Sequence, residues 1–100
     1  MRTSGDEKLA LQSLSFAKRI KKFKKYQKEQ LDDQIRLIID NPQIGEEKKG
    51  DLKGVFVQKF KIDNLQHLLS YRLKKDLLEL IMIGPHENYY RDLKSYLKHK

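Results

Sequence analysis

The 100-residue chain has no cysteine, which excludes disulfides, thiolate metal sites and a cysteine nucleophile. Its three histidines, His67, His86 and His99, lack the spacing of a ligand pair, so no metal and no cofactor are expected. No apolar run approaches the roughly 20 residues that cross a bilayer. The polar start, with Asp6 and Glu7, is unlike a secretory signal. These absences predict a soluble cytoplasmic protein with no membrane partner. Acid is missing too: between Glu7 and Glu29 there is no Asp or Glu. That stretch carries eight cations, from Lys8 to Lys28, which equals the whole net charge of +8. Such a face attracts polyanions or an acidic protein, and rules out neither.

The length allows one domain with one modest core, here placed over residues 8–100 after a flexible start at 1–7. Leu9 and Leu11 alternate with Ala10 and Gln12, a short strand or a forward extension of the next helix. Ser13 or Ser15 caps a helix with Phe16, Ala17, Ile20 and Phe23 on one stripe. After a break near Tyr26, Leu31, Ile35, Ile38 and Ile39 mark a second helix, stopped at Asp40-Asn41-Pro42. The two form an antiparallel hairpin.

Residues 43–54 read as a polar loop. From Val55 the period becomes two, with Phe56, Phe60 and Ile62 on one strand face and Val57, Lys59 and Lys61 on the other. Asp63-Asn64 turns into a strand from about His67 to Leu73. Lys75-Asp76 turns again into Leu77–Ile83, whose two apolar faces suit the centre of a sheet. Gly84-Pro85 ends it, and Leu93, Tyr96 and Leu97 give a short C-terminal helix. The expected fold is α+β, order (β)ααβββα: a helix hairpin on a small, mostly antiparallel sheet. Its other face is expected to be open to a ligand.

That face would carry Lys59 and Lys61, which point the same way and repel mildly; they form either a solvated strand face or an anion site. On the next strand, His67 shares a face with Leu69 and Tyr71, whereas Arg72 goes with Leu68 and Ser70. His86 is presented on the loop after Gly84-Pro85, and an imidazole there can give or take a proton near neutral pH. Tyr90 begins the last helix, where its ring can stack on a base, and Arg91 adds a charge beside it. One of the adjacent Tyr89 and Tyr90 faces inward to the core.

In these pieces the chain resembles the RelE/ParE toxins of bacterial type II toxin–antitoxin systems. The resemblance spans roughly residues 9–97. It rests on the lysine-rich hairpin ending in Asp40-Asn41-Pro42, Leu52-Lys53-Gly54, Lys59-Phe60-Lys61, Leu68-Leu69-Ser70-Tyr71-Arg72-Leu73 and Ile83-Gly84-Pro85-His86-Glu87-Asn88-Tyr89-Tyr90. It implies a microbial-ribonuclease-like fold, a cognate antitoxin partner, and a ribosome-dependent messenger-RNA endoribonuclease needing no metal. In such enzymes the ribose 2′-hydroxyl attacks the adjacent phosphate.

By the same resemblance, Lys59 and Lys61 look like the strand lysines that assist the base step and hold phosphate. His86 resembles the loop histidine of the YafQ branch, a general acid. Tyr90 falls where an aromatic stacks on the substrate base. Lys21, Lys22 and Lys25 would grip ribosomal RNA. His67 stands near a position that is Arg in RelE, and Arg72 or Arg91 would then replace that phosphate clamp. The alternatives are a ParE-type gyrase inhibitor, which shares the fold and lacks the nuclease set, a degenerate family member, and a plain RNA-binding domain.

Overall fold

Residue 81 is one too many for its neighbours, and much of the architecture follows from where the sheet absorbs it. The computed structural model describes residues 9–98; the expected loose start over 1–7 and His99 lie outside them. The chain runs β1 (Leu9–Gln12), α1 (Leu14–Ile20), α2 (Lys25–Asp40), β2 (Glu46–Glu47), β3 (Phe56–Ile62), β4 (Leu65–Lys74), β5 (Leu77–Pro85) and α3 (Tyr89–Lys98). Short 3₁₀ turns occupy Pro42–Ile44 and Gly50–Leu52. The sheet order is β1-β5-β4-β3-β2, with β1 parallel to β5 and every other pair antiparallel.

The α+β class and the helix hairpin are as the periodicities predicted, and the first segment is a strand rather than a helix extension. Ser13 caps α1, its Oγ accepting from the Phe16 N–H at 3.0 Å. The break between the helices comes at residues 21–24, earlier than the expected Tyr26, which lies within α2. The Lys24 N–H donates to Gln27 Oε1 at 2.8 Å, which starts α2 at Lys25, six residues ahead of Leu31, the first residue it buries. Asn41 ends it: its Oδ1 accepts from the Gln43 N–H at 3.3 Å, and Pro42 cannot continue the ladder.

The β3–β4 hairpin closes through Asp63 and Asn64, at φ 59° and 67°, the two left-handed residues of a type I′ turn. Between β4 and β5 the register steps from Ser70↔Met82 to Tyr71↔Leu80, leaving Ile81 as a bulge. The bulge sends both Ile81 and Met82 to one side of the sheet. Two apolar layers result. On the helix side Phe16, Leu31 and Ile38 pack on Phe60, Ile62, Leu69, Tyr71, Leu78, Leu80 and Ile83. On the opposite side Leu52, Val55, Val57, Leu68, Ile81 and Met82 pack against Tyr89 and Leu93 of α3.

The second layer corrects the expectation of an open sheet face. Residues 52–55 and α3 cover its middle, because Val57, Leu68 and Met82 would otherwise stand in water. The end carrying Lys59 and Lys61 stays exposed. β5 is interior, as its composition predicted, although β4 holds the middle position. The loop over 43–54 is also more ordered than its polarity suggested. Tyr71 donates to the Pro42 carbonyl at 2.6 Å and accepts from the Gly45 N–H at 3.0 Å, pinning the loop to the sheet. Gly45 has no room for a side chain: a Cβ there would lie 2.6 Å from Tyr71 Oη and 3.1 Å from the Val57 carbonyl.

Candidate functional site

The last helix is anchored by Tyr89, and that anchor decides what its neighbours can do. The Tyr89 ring is buried, and its hydroxyl lies 2.7 Å from the Met82 carbonyl oxygen and 2.8 Å from Ser70 Oγ. Burial, partly offset by hydrogen bonding with Ser70 and by the nearby Arg19 charge, pushes its phenol pKa well above the ordinary value. With Tyr89 turned in, Tyr90 is turned out and half-buried. It meets Tyr89 edge-on at 5.7 Å and His86 edge-on at 6.1 Å between ring centroids. A short turn makes this possible: the Tyr89 N–H donates to the His86 carbonyl at 3.1 Å, and Asn88 sits at φ 60°. His86 itself is exposed at the tip.

A third group joins from a part of the chain where no functional residue was expected. Lys48 Nζ lies 5.1 Å from the Tyr90 ring centroid and 3.0 Å from Glu46 Oε1. The Glu46 hydrogen bond raises the pKa of the Lys48 ammonium above its ordinary value, against the effect of partial burial. Lys48 in turn lowers the Glu46 carboxyl pKa, with a smaller contribution from Lys59. Nothing in the sequence distinguishes Lys48 from Lys49. The two-residue strand β2 does, by pairing Glu46 with Val57 and Glu47 with Phe56, so that this segment runs beside β3.

Lys59 and Lys61 are exposed on the same side of the sheet as Val57 and α3, as their alternation predicted. Their place relative to His86 follows from the register. Lys59 pairs with Leu68, which pairs with Gly84; Phe60 pairs with His67, which pairs with Pro85. The lysines therefore stand at the β5 end that leads into His86, two strands away or about 10 Å across the sheet. Lys48, Lys59, Lys61, His86 and Tyr90 form one rim around α3. It holds cations to neutralise phosphate, an imidazole to move a proton and an aromatic ring at a solvent-facing edge.

The other expected residues are elsewhere. His67 is buried on the helix side, packed edge-on against Phe23 at 5.9 Å and beside Phe60, with Nδ1 2.8 Å from the Leu65 carbonyl. Arg72 is engaged with Glu79, Nη2 to Oε1 at 3.0 Å, and lies five residues along β4 from the His67–Pro85 row, about 17 Å away. Arg91 is 74% exposed and lies 3.6 Å from its neighbour Asp92. Lys21, Lys22 and Lys25 are exposed around the α1–α2 connection. Among the described residues no group of three His, Asp or Glu is placed to hold a metal ion, and no helix is long and apolar enough to cross a membrane.

Residues 10–94 match a family described as ParE-like toxin of type II bacterial toxin–antitoxin systems. No curated protein matches the chain. Among solved structures, a free-state mutant of the Escherichia coli toxin RelE superposes with a TM-score of 0.71 at 15% identity, covering 92% of this chain and 97% of that one. The intact E. coli RelBE toxin–antitoxin complex gives 0.65 at 18% identity, covering 80% and 98%. A YoeB/ParE toxin from Agrobacterium tumefaciens gives 0.62 at 24% identity, covering 78% and 98%. At these identities the structures share the fold.

Proposed function

Because the chain belongs to the ParE-like toxins of type II bacterial toxin–antitoxin systems, we propose that it halts translation as a ribosome-dependent, metal-independent messenger-RNA endoribonuclease of the cytoplasm. The observation that carries this reading is the exposed His86 set edge-on to Tyr90 at 6.1 Å, with Lys48 and Lys59 on the same rim. An imidazole at that point suits the proton transfer that phosphodiester cleavage requires.

The chemistry balances without a metal. A base takes the proton of a ribose 2′-hydroxyl, and the oxygen attacks the adjacent phosphorus. The bond from phosphorus to the 5′-oxygen breaks, and an acid protonates that oxygen, leaving a 2′,3′-cyclic phosphate and a 5′-hydroxyl. His86 is the acid, since its imidazole is exposed at the tip of the loop beside Tyr90 and can carry a proton to the leaving oxygen. Lys59 and Lys61 divide the base step and phosphate binding. Lys48 supports the negative charge that builds on the phosphate, and Tyr90 stacks on the neighbouring base. Lys21, Lys22 and Lys25 hold RNA phosphates outside the rim. A cognate antitoxin is the partner that restrains the toxin, and an acidic segment suits the +8 surface.

The test is primer extension on a reporter message in a cell-free translation reaction, with wild type beside His86→Ala. Discrete cuts within A-site codons, lost in the variant, are expected. The match to a family named for ParE favours one competing reading, inhibition of DNA gyrase without catalysis. On that reading His86→Ala stays fully toxic, the message stays intact, and cells show DNA damage.

A further inference from the structure

β1 pairs with β5 from Leu77 to Leu80, and among the described residues no strand lies along the outer edge of residues 81–85. α1 crosses this gap instead. Ser13 Oγ donates to the Ile81 carbonyl, and Arg19 Nη1 reaches the Ile83 carbonyl at 3.4 Å. Between α1, the α1–α2 connection and Tyr96 of α3 runs a groove of about 830 Å³ whose floor is Ile83, Gly84 and Pro85. That is within the roughly 300–1,000 Å³ typical of ligand clefts.

The lining of the groove is one-sided. Lys18, Arg19 and Lys22 lie along it with Ser15, and among the described residues no carboxylate does. Lys18 and Lys22 have no acidic partner among the described residues. His67 also lines the groove. Its Nδ1 is held by the Leu65 carbonyl, and no buried side-chain nitrogen among the described residues lacks a partner. Arg19 connects this groove to the rim around α3. Its Nη1 lies 2.9 Å from where a Cβ on Gly84 would stand, a point 3.7 Å from the Tyr89 ring. The guanidinium thus passes round the sheet edge through space that only glycine leaves free.

We infer that this groove is a second phosphate-binding subsite, which takes the backbone of the single-stranded RNA segment adjoining the one held at His86. The inference rests on the nuclease reading for the direction of the strand. It stands on the groove for the binding. Pro85 is the last floor residue and His86 the next in the chain, so a strand leaving the rim at His86 enters the groove directly. A peptide adding itself to the β5 edge is the poorer occupant, because the Ile81 and Ile83 carbonyls it would pair with are already taken by Ser13 and Arg19. A phosphate chain needs only the cations and the hydroxyl.

The experiment uses the full chain and a short single-stranded RNA methylated at every 2′-hydroxyl, which cannot be cut. Affinity is measured against salt for wild type, for Lys18→Gln/Lys22→Gln, and for Lys74→Gln/Lys94→Gln, which removes the same charge outside the groove. All four lysines are exposed, so folding is not at risk. The groove pair is expected to bind roughly 10- to 30-fold more weakly near 0.1 M salt, with the slope of log K against log salt smaller by about 1.4, or two contacts. The other pair should lose only a small part of that.

Equal losses from the two pairs, or no RNA binding by wild type, would overturn the inference. So would an acidic peptide whose binding, unlike that of RNA, depends on Lys18 and Lys22. Cleavage of message by the wild type is scored separately. A groove-dependent affinity without any cuts would remove the nuclease reading and leave the subsite. Cuts with groove-independent affinity would do the reverse.

Discussion

Lys48 and Tyr90 are held face to face, the ammonium 5.1 Å from the ring centroid, although one is on a loop and the other opens the last helix. The contact joins the polar segment over 43–54 to the rim that contains His86. Glu46, 3.0 Å from the same ammonium, fixes its direction.

Lys48→Met separates function from stability. Glu46 is exposed, so the lost ion pair is worth about 0–1 kcal/mol, and the cation–π contact about 0.5–1 kcal/mol. Thermal unfolding should shift by only a few degrees. Message cleavage should fall roughly 10-fold or more, since a fixed cation at the phosphate and the setting of Tyr90 go together. Full cleavage by this variant would remove Lys48 from the site.

Gly45→Ala should destabilise the protein by about 1–3 kcal/mol, the usual cost of forcing atoms into a packed place. The new methyl meets Tyr71 Oη at 2.6 Å, and the Val57 carbonyl leaves it no other way to turn. In a double-mutant cycle with Tyr71→Phe, urea unfolding should show coupling of at least ~0.5 kcal/mol. Strict additivity would mean the loop moves away at no cost.

Tyr89→Phe leaves a buried Ser70 hydroxyl without its nearest partner and should cost about 1–3 kcal/mol. It should also change the alkaline limb of stability. The unfolded chain releases this proton near pH ~10, whereas burial makes the folded chain keep it to higher pH. Unfolding then releases a proton, so this contribution is complete below that pH and is lost as pH rises further. Urea midpoints measured from neutral pH upward should fall less steeply in Tyr89→Phe. Tyr71, raised by the same cause, keeps the limb from vanishing.

Lys75→Gly should stabilise by about 0.5–1 kcal/mol. Lys75 closes the β4–β5 turn at φ 55°, a left-handed conformation that costs a side-chain-bearing residue roughly 1–2 kcal/mol and costs glycine little beyond chain entropy. Asn64→Gly in the other hairpin, at φ 67°, should gain less, because asparagine tolerates that region better. A larger gain at Asn64 than at Lys75, by thermal melts, would contradict this account.

What the sequence determined by itself is what is local. The stripes Phe16–Ile20 and Leu31–Ile38, the alternation from Phe56 to Ile62, the Asp63-Asn64 turn and the doubly apolar Leu77–Ile83 each set their element through neighbours a few positions away. The same alternation placed Lys59 and Lys61 on one face, and Gly84-Pro85 marked His86 as a loop residue. The tertiary structure decided everything that depends on partners distant in the chain. Tyr89 rather than Tyr90 turns inward because the Met82 carbonyl and Ser70 wait for a hydroxyl. His67 goes under the helices because its alternation with Leu69 and Tyr71 follows the side that Phe23 covers. Lys48 joins the rim because a two-residue strand, too short to show a period, pairs with β3. The bulge at Ile81 is invisible in an unbroken apolar run, yet it turns two large side chains to one side and gives α3 its seat. Period and turn chemistry act over a few residues; pairing and burial are settled only when strands far apart in the chain meet.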